Sequence, residues 1–249
     1  MLSRPREWST AACWTWRIWT LPKLRSAYLG AAAVSVVAAA FPSDATTRVI
    51  KPTLMPLLLA SSALFATESN RRTALNKPVD AALLTAGLAG GWVGDIILMG
   101  KDSRSENPQV RAKNLNQGSA AFAVNQLAYH ALLLRSGARI TGKNLVLRVP
   151  AMLGGIGLAS IRNKKALPAA VGYGSLLGLT SVLAQDSRED AALGGNLFVA
   201  SDGLILARLT LLKQLSRLDA LTDGAVMATY VTAQLLLVNR LVDYILEGR

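Results

Sequence analysis

The chain has 249 residues, 51% of them hydrophobic and 17% charged, against the roughly one-quarter charged content of an average soluble domain. Its single cysteine, Cys13, and single histidine, His130, exclude an internal disulfide framework, a cysteine-based metal site and a histidine-rich one. The net charge is +12, but no helix-turn-helix, zinc-finger or ribonucleoprotein motif accompanies it, so no nucleic-acid partner is expected.

The charges fall in short clusters between long apolar runs. A run of ~20 mostly apolar residues can cross a bilayer, and most of these runs lack the polar face that a soluble bundle helix carries. The predicted fold class is all-α: a polytopic transmembrane helical bundle of about eight spans. It forms one domain over residues 26–249, behind a basic arm over 1–25. In the arm, Arg4, Arg6, Arg17, Lys23 and Arg25 are interleaved with Trp8, Trp14, Trp16 and Trp19. Flat rings and snorkelling cations together suit a membrane–water interface; a targeting peptide and an unstructured tail are the alternatives.

The apolar runs fall at about 26–42, 53–67, 79–100, 118–136, 145–160, 166–184, 191–212 and 222–246. Pro42-Ser43-Asp44 closes the first, and Asn76-Lys77-Pro78 opens the third, with Pro78 in a first-turn position and Asp80 near the positive helix end. The second and fifth runs are short for a span. Residues 101–117 read as the longest loop, polar and charged. Ser187-Arg188-Glu189-Asp190 resembles a capping box before the seventh run, and Thr222 or Asp223 can cap the eighth. Lys and Arg divide almost evenly between the two faces of an eight-span chain. Their slight excess on the N-terminal side predicts a multi-pass protein of the cell membrane with cytoplasmic termini.

Three GxxxG pairs, Gly87/Gly91, Gly90/Gly94 and Gly174/Gly178, let backbones approach closely. They serve packing within the bundle or a homo-oligomer, and the former is the more economical in a chain with this many spans.

Two carboxylates stand inside apolar runs. Asp95 lies about 16 residues into the third run and Asp202 about 14 past Ser187, or ~24 Å and ~21 Å along their helices. Runs three and seven cross in the same direction, so the two acids reach similar depth. A carboxylate at a helix centre costs at least ~2.5–3.5 kcal/mol to insert and faces a bundle interior or a reactive pathway. The structural alternative is that each acid pairs with a base, but most Lys and Arg lie near the run ends, and Arg208 is on a different face from Asp202. Gln126 and His130 share a face of the fourth run, Tyr230 and Gln234 share one of the eighth, and Asn125, Tyr129 and Asn196 fall near the same level. A polar pocket from runs three, four, seven and eight is expected, with Asp95 and Asp202 as catalytic residues and Gln126, Tyr129, Asn196 and Gln234 contacting substrate. Interhelical hydrogen bonding is the bland role for these amides, and a satisfied structural histidine the commoner one for His130.

The segments KPTLMPLLLA (51–60), GDIIL (94–98), FAVNQLAYH (122–130), GGNLFVASD (194–202) and YVTAQLLLV (230–238) resemble, in order, the YhhN or lysoplasmalogenase-like family of integral membrane proteins, over about residues 51–240. The resemblance implies an eight-helix bundle that hydrolyses the vinyl ether bond of lysoplasmalogen to a fatty aldehyde and a glycerophospho-headgroup. Its glycine–aspartate and serine–aspartate motifs, the suspected catalytic acids, match Asp95 and Asp202. The family pattern on the fourth helix is Phe, three residues, His, two residues, Tyr; Phe122 and Tyr129 match, and Gln126 stands at the histidine position. Vinyl ether hydrolysis needs a proton donor and a negative charge beside the cation that forms. Two neighbouring buried carboxylates that hold one proton between them meet both needs, with no metal or cofactor. The expected partner is a membrane lipid, a lysophospholipid-like substrate. The alternative is a non-catalytic or proton-coupled lipid-binding or transport protein of the same fold, since buried acids also serve proton-coupled transport; no inverted repeat is visible in support of it.

Overall fold

The computed structural model describes residues 23–41, 43–75, 77–213 and 216–247. Residues 1–22 of the basic arm, with their four tryptophans, lie outside the described residues, as do Pro42 and Asn76. Every element within them is helical. Eight α-helices correspond one to one with the eight apolar runs: α1 (Lys23–Ala40), α2 (Asp44–Leu75), α3 (Pro78–Leu98), α4 (Pro108–Arg135), α5 (Gly142–Arg162), α6 (Gly174–Ser187), α7 (Glu189–Leu211) and α8 (Arg217–Glu247). Four of them, α3, α5, α7 and α8, are long and apolar enough to cross a membrane, including the fifth, which had read as short. The chain is an integral membrane protein built as a helical bundle.

Several boundaries differ from the expectation. The second run sits inside a 32-residue helix with Pro52 and Pro56 in its interior. Pro56 has no N–H to offer the Pro52 carbonyl one turn back, and the Trp92 indole of α3 donates to that carbonyl instead, at 2.9 Å. The orphaned acceptor is thereby satisfied and the helix continues. More than half of the expected 101–117 loop is helix: Asn107 caps α4 by accepting from the Gln109 N–H and Pro108 takes the first position. The remainder holds a 3-10 turn at Lys101–Arg104. No capping box opens α7, because Ser187 ends α6 and accepts from Arg240, while Arg188 at the N-cap directs its side chain to Asp190 and Asp243 and makes no capping bond. The cap of α8 is Ser216, whose hydroxyl accepts from the Asp219 N–H, so Thr222 and Asp223 lie within the helix. Pro78 and Asp80 occupy the first turn of α3 as expected, and Asp80 pairs with Arg135 at the end of α4.

Helix α8 runs through the core, packed along α7 and against α1 and α2; α3 lies along α4, and α5 covers α6 and α7 from outside. The α3–α4 contact explains two glycine pairs. A Cβ at Gly90 would stand 2.9 Å from the Ala121 carbonyl, and one at Gly94 would stand 2.5 Å from the Phe122 ring. These spacings serve packing within the chain. On α5 only Ala159 is buried, while Val146, Leu147, Leu153 and Ile161 are exposed, which suits a helix facing lipid.

Candidate functional site

A cavity of about 180 Å³ opens within the bundle, and seven of the eight helices reach its wall. Most of the wall is apolar, from Leu98, Phe122, Met152, Leu177, Val199 and Met227. Both predicted acids line it: Asp95 from α3, 3% exposed, and Asp202 from α7, half-buried. The expected equal depth of the two carboxylates therefore brings them to one space.

Their surroundings differ. Asp95 pairs with Lys51 of α2, Nζ to Oδ1 at 3.3 Å, and accepts a hydrogen bond from the Tyr230 hydroxyl at 2.7 Å. The base expected to be lacking at this depth is thus supplied by the first residue of the KPTLMPLLLA segment. Asp202 accepts from the Tyr173 hydroxyl, and Arg208 turns away from it to Asp219 and Asp223. Tyr173 closes a π-helical turn, Ala169–Tyr173, that follows Pro168 and leads into α6; such turns widen the helix and re-aim a side chain. Phe122 stands between the two tyrosines. Its ring centroid is 5.9 Å from that of Tyr230, edge on, and 6.2 Å from that of Tyr173. Phe122 fits there because Gly94, immediately before Asp95, has no Cβ. The glycine–aspartate pair thus does two jobs: one residue admits the aromatic ring, the next presents the carboxylate. In the serine–aspartate pair, Ser201 ties α7 to the Val226 carbonyl of α8 at 3.2 Å, fixing the helix that carries Asp202.

The remaining predicted residues stand behind the wall. Tyr129 donates to Gln234 at 2.6 Å, the Gln234 amide reaches the Tyr230 hydroxyl at 3.4 Å, and Tyr230 ends on Asp95. Tyr129 and Gln234 therefore connect to the cavity through one carboxylate. Gln126 belongs to a separate chain: it accepts from Thr180 at 2.5 Å and donates to Asn125 at 3.1 Å, and Asn125 donates to the Gly87 carbonyl. Asn196, exposed on α7, accepts from Arg148 at 2.7 Å and from Ser181 at 2.8 Å; Arg148 itself lines the cavity. His130 meets the Leu176 carbonyl at 2.9 Å.

Lys51, Tyr173 and Arg148 were not singled out from the sequence. Lys51 carried a readable signal, a cation at the threshold of an apolar run. Tyr173 carried little, because a π turn over Ala169–Tyr173 has no periodic signature.

The YhhN family model matches residues 46–241, which include both aspartates, Lys51 and every residue of the cavity wall. No curated protein and no solved structure matches the chain.

Proposed function

The chain belongs to the YhhN family, and from that premise we propose that it is a membrane-embedded hydrolase cleaving the vinyl ether bond of lysoplasmalogen-type lipids at Asp95 and Asp202. The observation that carries this reading is a mainly apolar cavity inside a membrane bundle, lined by two carboxylates with unlike partners. An apolar wall accepts an alkenyl chain; the acids act where the chain meets its ether oxygen.

The reaction divides between them. Asp202, whose partner is a neutral phenol, delivers a proton to the alkenyl carbon remote from oxygen. The double-bond electrons form the new C–H bond and leave an oxocarbenium ion. Asp95, beside Lys51, keeps its negative charge, stabilises that cation and orients water. Water adds to the carbon bearing oxygen and gives up a proton, and the hemiacetal collapses to a fatty aldehyde and the glycerol hydroxyl. One water is consumed and the catalytic proton is returned. Phe122, packed on both Tyr173 and Tyr230, helps hold each phenol beside its own acid and offers its ring to the cation.

Aldehyde release from lysoplasmalogen by the purified protein in detergent tests the reading. A positioned acid or base contributes on the order of 100-fold or more, so Asp95→Asn and Asp202→Asn each lower kcat by at least that factor. A folded wild type that releases no aldehyde refutes the activity, and a double mutant that retains it refutes the two acids.

A further inference from the structure

A second chamber of about 130 Å³ lies beyond Lys51, where α2, α4 and α8 begin and α3 and α7 finish. It shares Lys51, Leu98 and Met227 with the first cavity, so the lysine stands on the boundary between an apolar space and a polar one. The second wall carries Thr47, Ser103, Arg111 and Asn114.

Two buried side-chain atoms on this wall have no hydrogen-bond partner, Thr47 Oγ1 and Arg111 Nε. Arg111 is 8% exposed. One terminal nitrogen donates to the Ser105 and Glu106 carbonyls, at 2.6 and 3.1 Å. Asp219 acts on its charge from a distance while pairing with Arg208, and among the described residues no carboxylate is paired with Arg111 directly. The other cations on the wall are all matched: Lys51 by Asp95, Arg104 by Asp44, and Arg208 by Asp219 and Asp223. A buried guanidinium with an unused N–H is costly, even with Asp219 near enough to offset part of its charge. A hydroxyl without a partner lines the same small space. An oxyanion supplies the missing lone pairs, and a guanidinium is the side chain best shaped to receive it.

We propose that this chamber binds a phosphate group through Arg111 and Thr47, and that in a lysolipid this headgroup contact directs the chain past Lys51 into the cavity at Asp95. The direction of the chain rests on the hydrolase reading above; the phosphate contact does not. A soluble phosphate ester offers the same chemistry, and the experiment separates the two sources.

The test uses the full chain in detergent with a saturated 1-O-alkyl lysophospholipid, which has no vinyl ether to cleave, and the 1-O-alkylglycerol of the same chain length, which has no phosphate. Equilibrium binding favours the phosphorylated lipid by roughly tenfold or more, the scale of a charge-assisted contact. Arg111→Gln removes that preference. Thr47→Val, which deletes a hydroxyl the fold does not use, weakens it severalfold at unchanged melting temperature, so the result stands even if Arg111→Gln loosens the 99–107 loop. Inorganic phosphate and glycerophosphate are added alone to the wild type. Stabilisation by them at millimolar concentration identifies a soluble source, and stabilisation by the lipid only identifies the headgroup; either supports a phosphate subsite. Equal binding of the two lipids, or a preference that survives both substitutions, overturns it. So does a preference lost in Arg148→Gln instead, which would put the headgroup at the other cation on the first cavity. Binding needs no turnover, so an inactive protein with the expected preference refutes the hydrolase alone, and an active one without it refutes the chamber alone.

Discussion

Replacing Lys51 by methionine isolates what holds Asp95 in place. The pair lies inside the bundle, 3.3 Å apart, with Lys51 15% and Asp95 3% exposed. Loss of the cation leaves the carboxylate with the Tyr230 hydroxyl as its remaining partner. Breaking a buried pair from one side costs about 3–5 kcal/mol, because a charge is left uncompensated. Asp95→Asn is milder, about 1–2 kcal/mol, because Lys51 borders the polar chamber and an amide still accepts from Tyr230. The double variant Lys51→Met/Asp95→Asn leaves no charge behind, and neutral replacements of a buried pair cost about 1–2 kcal/mol or less. The cycle therefore closes with an interaction of at least ~2 kcal/mol, far above the ~0.5 kcal/mol of independent sites. Denaturant unfolding of the four proteins in one detergent measures it, with Lys51→Met the least stable of the four. Additive effects would refute the argument that Lys51 carries the charge balance of Asp95, and with it the division of roles between the two acids.

Gly94→Ala places a Cβ 2.5 Å from the Phe122 ring; forcing the ring aside costs about 1–3 kcal/mol and lowers aldehyde release, whereas Gly30→Ala, with nothing within 4 Å, leaves the thermal melt unchanged. Tyr173→Phe removes the phenol that holds Asp202 and lowers kcat about tenfold or more with a melting temperature near wild type; unchanged turnover would detach Tyr173 from the reaction. Gln126→Leu strands Thr180 and Asn125 and destabilises by about 1–3 kcal/mol, yet kcat is kept, because Gln126 stands behind the cavity wall; a selective loss of kcat without a loss of stability would return Gln126 to the substrate.

What could be read from the chain, and what could not, follows from how each feature is encoded. Apolar runs are long, and their period survives local irregularity, so eight runs became eight helices. A carboxylate in such a run is costly enough to be conspicuous, so Asp95 and Asp202 stood out before any geometry was known. Helix ends depend on single side chains and were less legible: one hydroxyl, Ser216, caps α8 a turn and a half ahead of Thr222. The remedy for Pro52 and Pro56, the Trp92 indole, comes from another helix and leaves no local trace. Lys51 sits seven residues inside α2, ahead of the apolar run that begins at 53, and its partner Asp95 comes from another helix.

Chain order and depth present the two aspartates as an equivalent pair sharing one proton. Their partners make them unequal, and those partners arrive from elements whose local sequence is uninformative: a proline-bearing helix brings a cation to Asp95, and a π turn brings a phenol to Asp202. A proton transfer to carbon followed by capture of a cation needs that inequality, because one carboxyl must give while the other stays charged. Phe122 makes it durable. Seated in the space left by Gly94, the ring packs on both tyrosines and fixes each beside its own acid. The glycine in GDIIL is thus part of the same device as the aspartate that follows it: a Cβ there would take the space in which Phe122 packs on both tyrosines.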